Sequence, residues 1–126
     1  MLRELRIRNF AIIEMVALPL GPGLNVLTGE TGAGKSIIVG ALGLLVGERA
    51  SSDVVRTGAD KATVEGLFDV GSLPALAAAL DERGIEAEDG ILVLKREVAA
   101  AGGRARAWIN GSPVTAALLA DVGRLL

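Results

Sequence analysis

The chain has 126 residues, 51% of them apolar, with 13 lysines and arginines against 15 acids and a net charge of −2. It is one domain or part of one, with enough aliphatic material for a core and a charge that does not advertise nucleic-acid binding. It has no cysteine and no histidine, which excludes disulfides, Cys/His zinc sites, thiol nucleophiles and histidine bases.

Leu2, Leu5, Ile7 and Phe10 nearly alternate with Arg3, Arg6 and Arg8. This predicts a first strand with one wet face, its arginines reading as a solvated edge in preference to a nucleotide or DNA contact. Residues 11–20 predict a second strand, closed by Pro19 and the Gly21-Pro22-Gly23 turn. Residues 23–28 read as a short buried third strand, and the apolar run from Ile37 to Val46 as a helix ending near Gly47. Strands are expected at 54–56 and 62–70, then a helix over 73–83 with Ser72 as N-cap and Gly84 as C-cap. Ile91 to Val98 is a further strand, and 104–109 alternates into Asn110-Gly111, a hairpin signal. Thr115 caps a last apolar helix that runs to Leu126 without a C-cap or polar tail, as expected of a fragment. The strands outnumber the helices, so the sequence predicts an α/β fold with a mixed, partly antiparallel sheet around one central helix, not strict βαβα alternation.

Between the third strand and that helix lies Gly29-Glu30-Thr31-Gly32-Ala33-Gly34-Lys35-Ser36, a match to G-x-x-x-x-G-K-[ST] at every fixed position. Such a loop wraps main-chain N–H groups around nucleotide phosphates. Its lysine reaches the β- and γ-phosphates, and its serine hydroxyl ligates Mg²⁺. The strand before it and the helix after it supply the required context, because the helix dipole and its free N–H groups face the anion. These eight residues are the candidate nucleotide site, with Ser36 the candidate Mg²⁺ ligand and ATP with Mg²⁺ the expected cofactors.

Hydrolysis needs more than this loop. After Ser36 no apolar run ends in adjacent Asp-Glu, and Glu65 and Asp69 read as isolated, solvated strand acids. No catalytic residue is therefore assigned. Asp81-Glu82-Arg83-Gly84 matches a loose D-x-x-G pattern but reads as a helix cap. Among the basic residues, Arg49 and Arg56 flank the connection after the loop's helix and are weaker candidates for contacting phosphates. Lys95, Arg96, Arg104 and Arg106 on neighbouring strands read as a basic patch or a plain surface.

Leu5 to Glu14, followed by Gly23 to Ser36, resembles the start of SMC-like ATPases. Leu42 to Ala50, Val55 to Gly58, Val64 to Phe68 and Gly103 to Val114 extend the likeness over nearly the whole chain. Gly40 departs from it, standing where the family's pattern has an acid. The resemblance implies a P-loop NTPase of ABC/SMC head type, with residues 1–126 as the N-terminal lobe. The long coiled coil and the C-terminal lobe, with its acidic strand, catalytic glutamate and signature serine motif, would lie outside the chain. It also implies ATP-driven pairing of two heads, coupled to DNA holding or end bridging in double-strand-break repair and recombination. The partners would be the C-terminal lobe, a second head and double-stranded DNA, in the cytoplasm at the nucleoid. The chain alone would bind ATP without turning it over, and Arg49 and Arg56 would lie near the γ-phosphate or DNA. Three alternatives stay open: an ABC-type ATPase or a P-loop kinase unrelated to DNA, and a non-catalytic DNA-interaction module. No apolar run approaches the ~20 residues of a membrane span, and the charged N-terminus lacks the apolar stretch of a signal peptide. Both fit a soluble, cytoplasmic protein.

Overall fold

In β1 (Leu2–Phe10) the side chains of Leu5 and Ile7 are buried while Arg3, Arg6 and Arg8 are exposed, the period-two pattern of a strand covered on one side. The computed structural model of the chain describes residues 2–11, 13–19, 32–48, 52–71, 74–85, 90–101 and 104–125. The strands β2 (Ile13–Pro19), β3 (Lys61–Asp69), β4 (Ile91–Ala99), β5 (Ala105–Ile109) and β6 (Ser112–Val114) join β1 in one six-stranded sheet of order β2-β1-β3-β4-β5-β6. All its pairings among the described residues are antiparallel. The expected third strand, 23–28, lies outside the described residues.

One face of the sheet is covered by helices. Helix α1 (Gly32–Leu45) packs across β1, β3 and β4, and α3 (Ala116–Gly123) packs on β5 and on α1. Helix α2 (Pro74–Glu82) adds Leu76 and Leu80 to the same core. Leu5, Ile7, Val64, Leu92, Leu94 and Val98 from the sheet meet Ala41, Leu44 and Leu45 of α1 and Leu119 and Val122 of α3. At about 25 cal/mol per Å² of apolar area removed from water, each fully buried aliphatic side chain contributes about 1.5–3 kcal/mol. With few aromatics available, this aliphatic layer carries the fold.

The helices end as their sequences demand. Helix α1 closes with Gly47 N–H donating to Leu44 O and Glu48 N–H to Gly43 O, and Gly47 takes φ +91°. This left-handed double-bonded ending suits glycine, which has no Cβ to clash. Helix α2 ends the same way: Gly84 N–H meets Asp81 O and Ile85 N–H meets Leu80 O. The D-x-x-G match is thus a helix cap. The proposed N-cap Ser72 lies outside the described residues. Thr115 caps α3, its side chain accepting from Leu118 N–H at 3.1 Å.

Three expectations change. Residues 54–56 do not form a strand: Ser52–Val54 is a 3-10 turn, and Val55 makes a single bridge to Phe10. β1 is not an edge, because β3, distant in sequence, pairs on its far side. Arg3, Arg6 and Arg8 therefore line the interior of a sheet face. The basic patch is divided, since Arg96 is buried on the helix-covered side whereas Lys95 lies over the Trp108 ring on the other.

Candidate nucleotide-binding site

Gly32 and Gly34 of the loop motif stand in the first turn of a helix. Gly32–Ser36 form the first residues of α1, and of these the main chain alone is described. Gly29, Glu30 and Thr31 lie outside the described residues, as does Arg49. The first turn of α1 contains no acidic residue. The main-chain N–H groups that open a helix have no partner within it, and the dipole of a 14-residue helix adds positive potential at that end. This is the local arrangement that anion binding at a helix start requires.

The rest of α1 is held firmly. Ala41, Leu44 and Leu45 are buried against the sheet. From β4, the Arg96 guanidinium, 4% exposed, donates to the carbonyls of Leu44 at 3.1 Å and Glu48 at 3.3 Å. Its Nε has no hydrogen-bond partner, and burial pushes its pKa below the usual arginine value. A cation at the C-terminal end of a helix opposes the negative pole of the dipole. The sequence reading missed this role. The signal was the parity of β4: Leu92, Leu94, Arg96 and Val98 share one face, so a strand with that apolar face puts Arg96 in the core.

A second feature sits at the end of β1. Asn9 and Ala11 both take φ +52°, an uncommon left-handed conformation for residues with a Cβ. The turn is laced to the segment carrying Arg56: Ala11 N–H donates to Val54 O at 2.7 Å, and Arg56 N–H donates to Asn9 O at 2.8 Å. Between them Phe10 is buried, its ring 3.7 Å from where a Cβ on Gly40 of α1 would stand. Gly40 lies about 7–8 Å along the helix from Lys35 at 1.5 Å per residue. The fold thus ties half-buried Arg56 through its main chain to the turn whose Phe10 packs against α1. Asn9 and Ala11 were not anticipated; the tolerance of asparagine for left-handed backbone was the available clue.

Glu65 and Asp69 are not near this site. They lie on the face of the sheet away from α1, where Glu65 pairs with Arg6 and Asp69 with Arg3, both at 3.3 Å. Among the described residues no cluster of His, Cys, Asp or Glu could hold a metal ion. No described helix is long and apolar enough to cross a membrane.

Comparison with known proteins agrees with this geometry. The family model described as AAA domain matches residues 4–80. DNA repair protein RecN of Bacillus subtilis (strain 168) is 48% identical over 126 residues, and RecN of Halalkalibacterium halodurans is 47% identical over the same length. Each alignment takes in 100% of this chain and 22% of the relative, so the chain spans about a fifth of the curated relatives it matches. Among solved structures, one from work on ATP-driven dimerisation and DNA-stimulated activation of SMC ATPases superposes with a TM-score of 0.76 at 23% identity, over 98% of this chain and 78% of that one. The sheet and its helices therefore have the P-loop NTPase fold of an SMC head, and the chain belongs to the AAA domain family.

Proposed function

We propose that residues 1–126 are the ATP-binding N-terminal lobe of an SMC-like ATPase of DNA double-strand-break repair. The observation that carries this reading is the run Gly29 to Ser36 opening α1, a helix with no acid in its first turn, in a chain 48% identical to a RecN protein. Gly29, Glu30, Thr31, Gly32, Ala33 and Gly34 would cradle the phosphates with main-chain N–H groups, Lys35 would neutralise the β- and γ-phosphates, and Ser36 would ligate Mg²⁺. The ion, when bound, would offset the charge of the phosphates. Arg49 and Arg56, which flank the connection after α1, are secondary candidates for the γ-phosphate or DNA.

In this reading the lobe binds ATP and does not hydrolyse it alone, because after Ser36 no apolar run ends in the adjacent acids that would hold the metal ion and polarise water. That acid would come from a C-terminal lobe and the opposing surface from a second head. ATP-driven pairing of heads would then be coupled to holding or bridging DNA ends, in the cytoplasm at the nucleoid. The half-exposed Ile37, Ile38 and Leu42 and the exposed Val39 on α1 are apolar surface suited to burial under a C-terminal lobe.

The test pairs two measurements on the chain and its Lys35→Ala variant: affinity for a fluorescent ATP analogue with Mg²⁺, and steady-state hydrolysis. The expected result is binding that weakens about 10- to 100-fold in the variant, as for losing a charge-assisted hydrogen bond of about 1.5–3 kcal/mol, with no turnover in either. Hydrolysis by the chain that vanishes with Lys35 would mean a self-contained active site and would overturn the split-head reading. Equal binding by both would remove the nucleotide site.

A further inference from the structure

Helix α1 begins with the loop motif and no acid in its first turn, and ends against the buried Arg96 guanidinium. Leu44, whose carbonyl accepts from Arg96 at 3.1 Å, stands ten residues after Gly34. At 1.5 Å per residue that is about 15 Å of helix, so the guanidinium lies roughly 18 Å from the N–H groups of the loop. Its charge is not neutralised where it sits. Among the described residues no carboxylate forms an ion pair with it, and its Nε is buried without a hydrogen-bond partner. The acids on the segments around it are occupied or in water. Glu48 is exposed with its carboxylate against Gly43, Asp53 is exposed, and Asp121 of α3 pairs with Arg83 and Arg124. What Arg96 meets instead is the carbonyl end of α1, through Leu44 and Glu48.

A helix acts as a charge of about +0.5 at its start and −0.5 at its end. An anion at the start is drawn by the near pole and repelled by the far one. A full positive charge at the far end more than cancels that repulsion, so the helix as a whole attracts anions. The field runs through the protein interior, where the effective dielectric constant is low and salt screens less. We propose that Arg96 is a positioning residue for nucleotide binding, acting through α1 to favour the more highly charged polyphosphate. The inference rests on the nucleotide-binding reading above and adds a source of specificity to that site. At roughly 18 Å and an effective dielectric constant of about 20–40, one such charge changes affinity roughly 2- to 5-fold per unit of ligand charge. It therefore separates Mg-ATP from Mg-ADP, which differ by one unit. A helix cap that only held α1 in place would serve every nucleotide alike. Lysine at this position supplies the charge with fewer bonds, and methionine supplies the bulk without the charge.

The test is displacement of a fluorescent ATP analogue by ADP, ATP and adenosine tetraphosphate with Mg²⁺, each carrying one more negative charge than the last. The chain is compared with Arg96→Met, Arg96→Lys, Arg124→Ala and Lys35→Ala. The quantity read is the ratio of affinities between successive nucleotides. A smaller folded fraction weakens all three by one common factor and leaves the ratios untouched. In Arg96→Met each ratio falls roughly 2- to 5-fold below that of the parent. Arg96→Lys keeps the parent's ratios, whatever it loses in stability. Arg124→Ala removes an exposed charge near the same end of α1, where Gly123 packs on Val46, and leaves the ratios unchanged. Should Arg96→Met fail to fold, Arg96→Gln, also uncharged, is read in its place. Parental ratios in the uncharged variant, reduced ratios in Arg96→Lys, or an equal fall in Arg124→Ala would each overturn the proposal. Where binding still depends on Lys35, those results strike the role of Arg96 alone. No nucleotide binding by the parent, or binding that Lys35→Ala does not weaken, would remove the nucleotide site and this inference with it.

Discussion

Arg96, buried in β4, donates through Nη1 to the carbonyl of Leu44 in the last turn of α1, 3.1 Å away, and to the carbonyl of Glu48 just beyond it. One side chain thus ties the sheet to the end of the helix whose beginning carries the loop motif. Its charge has no carboxylate partner within reach among the described residues, and the helix carbonyls take that place.

Removing this guanidinium leaves two carbonyls without their donor. Arg96→Ala should destabilise the chain by about 2–4 kcal/mol, from unsatisfied carbonyls at about 1–3 kcal/mol each and a cavity beside Leu44. Arg96→Met fills the space and removes a costly buried charge, so its loss should be smaller, about 1–2 kcal/mol. Arg96→Lys keeps the charge and reaches fewer acceptors, and should fall between them. Urea denaturation of the four proteins checks the order; a neutral Arg96→Ala would show that the contact does not hold α1.

The join between α1 and α3 is a contact of small residues. A Cβ on Gly47 would stand 2.6 Å from the Ala120 Cβ, and one on Gly123 would stand 2.7 Å from the Val46 Cβ. Gly123→Ala should cost about 1–3 kcal/mol through overpacking. Gly47→Ala should cost about 1–2 kcal/mol more, because its φ of +91° is also lost to a residue with a Cβ. Thermal midpoints of the two variants test the order, and equal midpoints would mean that backbone strain at Gly47 is negligible.

Much of this was legible in the residues. Alternation marked β1, β3, β4 and β5, Asn110-Gly111 marked the last hairpin, and Thr115 marked the start of α3. These signals are local, and local physics fixes them. The errors arose where distant segments decide. Val54-Val55 has strand composition, but its partners are one bridge to Phe10 and the turn at Asn9 to Ala11, so no ladder grows. β1 read as an edge because nothing near it in sequence shows that β3 pairs with it. Arg96 read as surface by residue type, although its parity placed it among Leu92, Leu94 and Val98. At the candidate site, the motif was readable in full. The lacing of Arg56 to Asn9 was not, since it depends on two main-chain bonds between segments more than 40 residues apart.

The last hairpin holds a second function of Asn110. Asn110 and Gly111 take φ of +50° and +84°, the paired left-handed geometry of a tight hairpin turn. The Asn110 side-chain oxygen also accepts from Val93 N–H at 2.8 Å, while its own N–H donates to Val93 O at 2.8 Å. Asn110→Gly keeps the turn and loses the side-chain bond, for an expected cost of about 1 kcal/mol. Asn110→Ala loses both and should cost about 2–3 kcal/mol. Asn110→Asp retains the acceptor and should stay close to the parent. Equilibrium unfolding that ranked glycine below alanine would reject this division.

Helices α2 and α3 are linked by Arg83, whose Nε donates to the Asp121 carboxylate while its Nη1 donates to Ala79 O at 2.7 Å. The hydrogen bond from Arg83, with its charge and that of Arg124, holds the Asp121 carboxyl below its ordinary pKa. A carboxylate with a lower pKa in the folded state stabilises that state above its unfolded pKa of about 3.9, and the contribution disappears as pH falls through the folded value. Both side chains reach solvent, so screening keeps the effect small. Asp121→Asn cannot titrate there. The urea midpoint of the parent chain should therefore fall more steeply than that of Asp121→Asn as pH drops below about 4. The two curves should run parallel from about pH 5 to 8, the variant slightly lower, and high salt should narrow the gap. Parallel curves through the acid range would show that Asp121 titrates alike in the folded and unfolded states, and that its ion pair with Arg83 does not stabilise the fold.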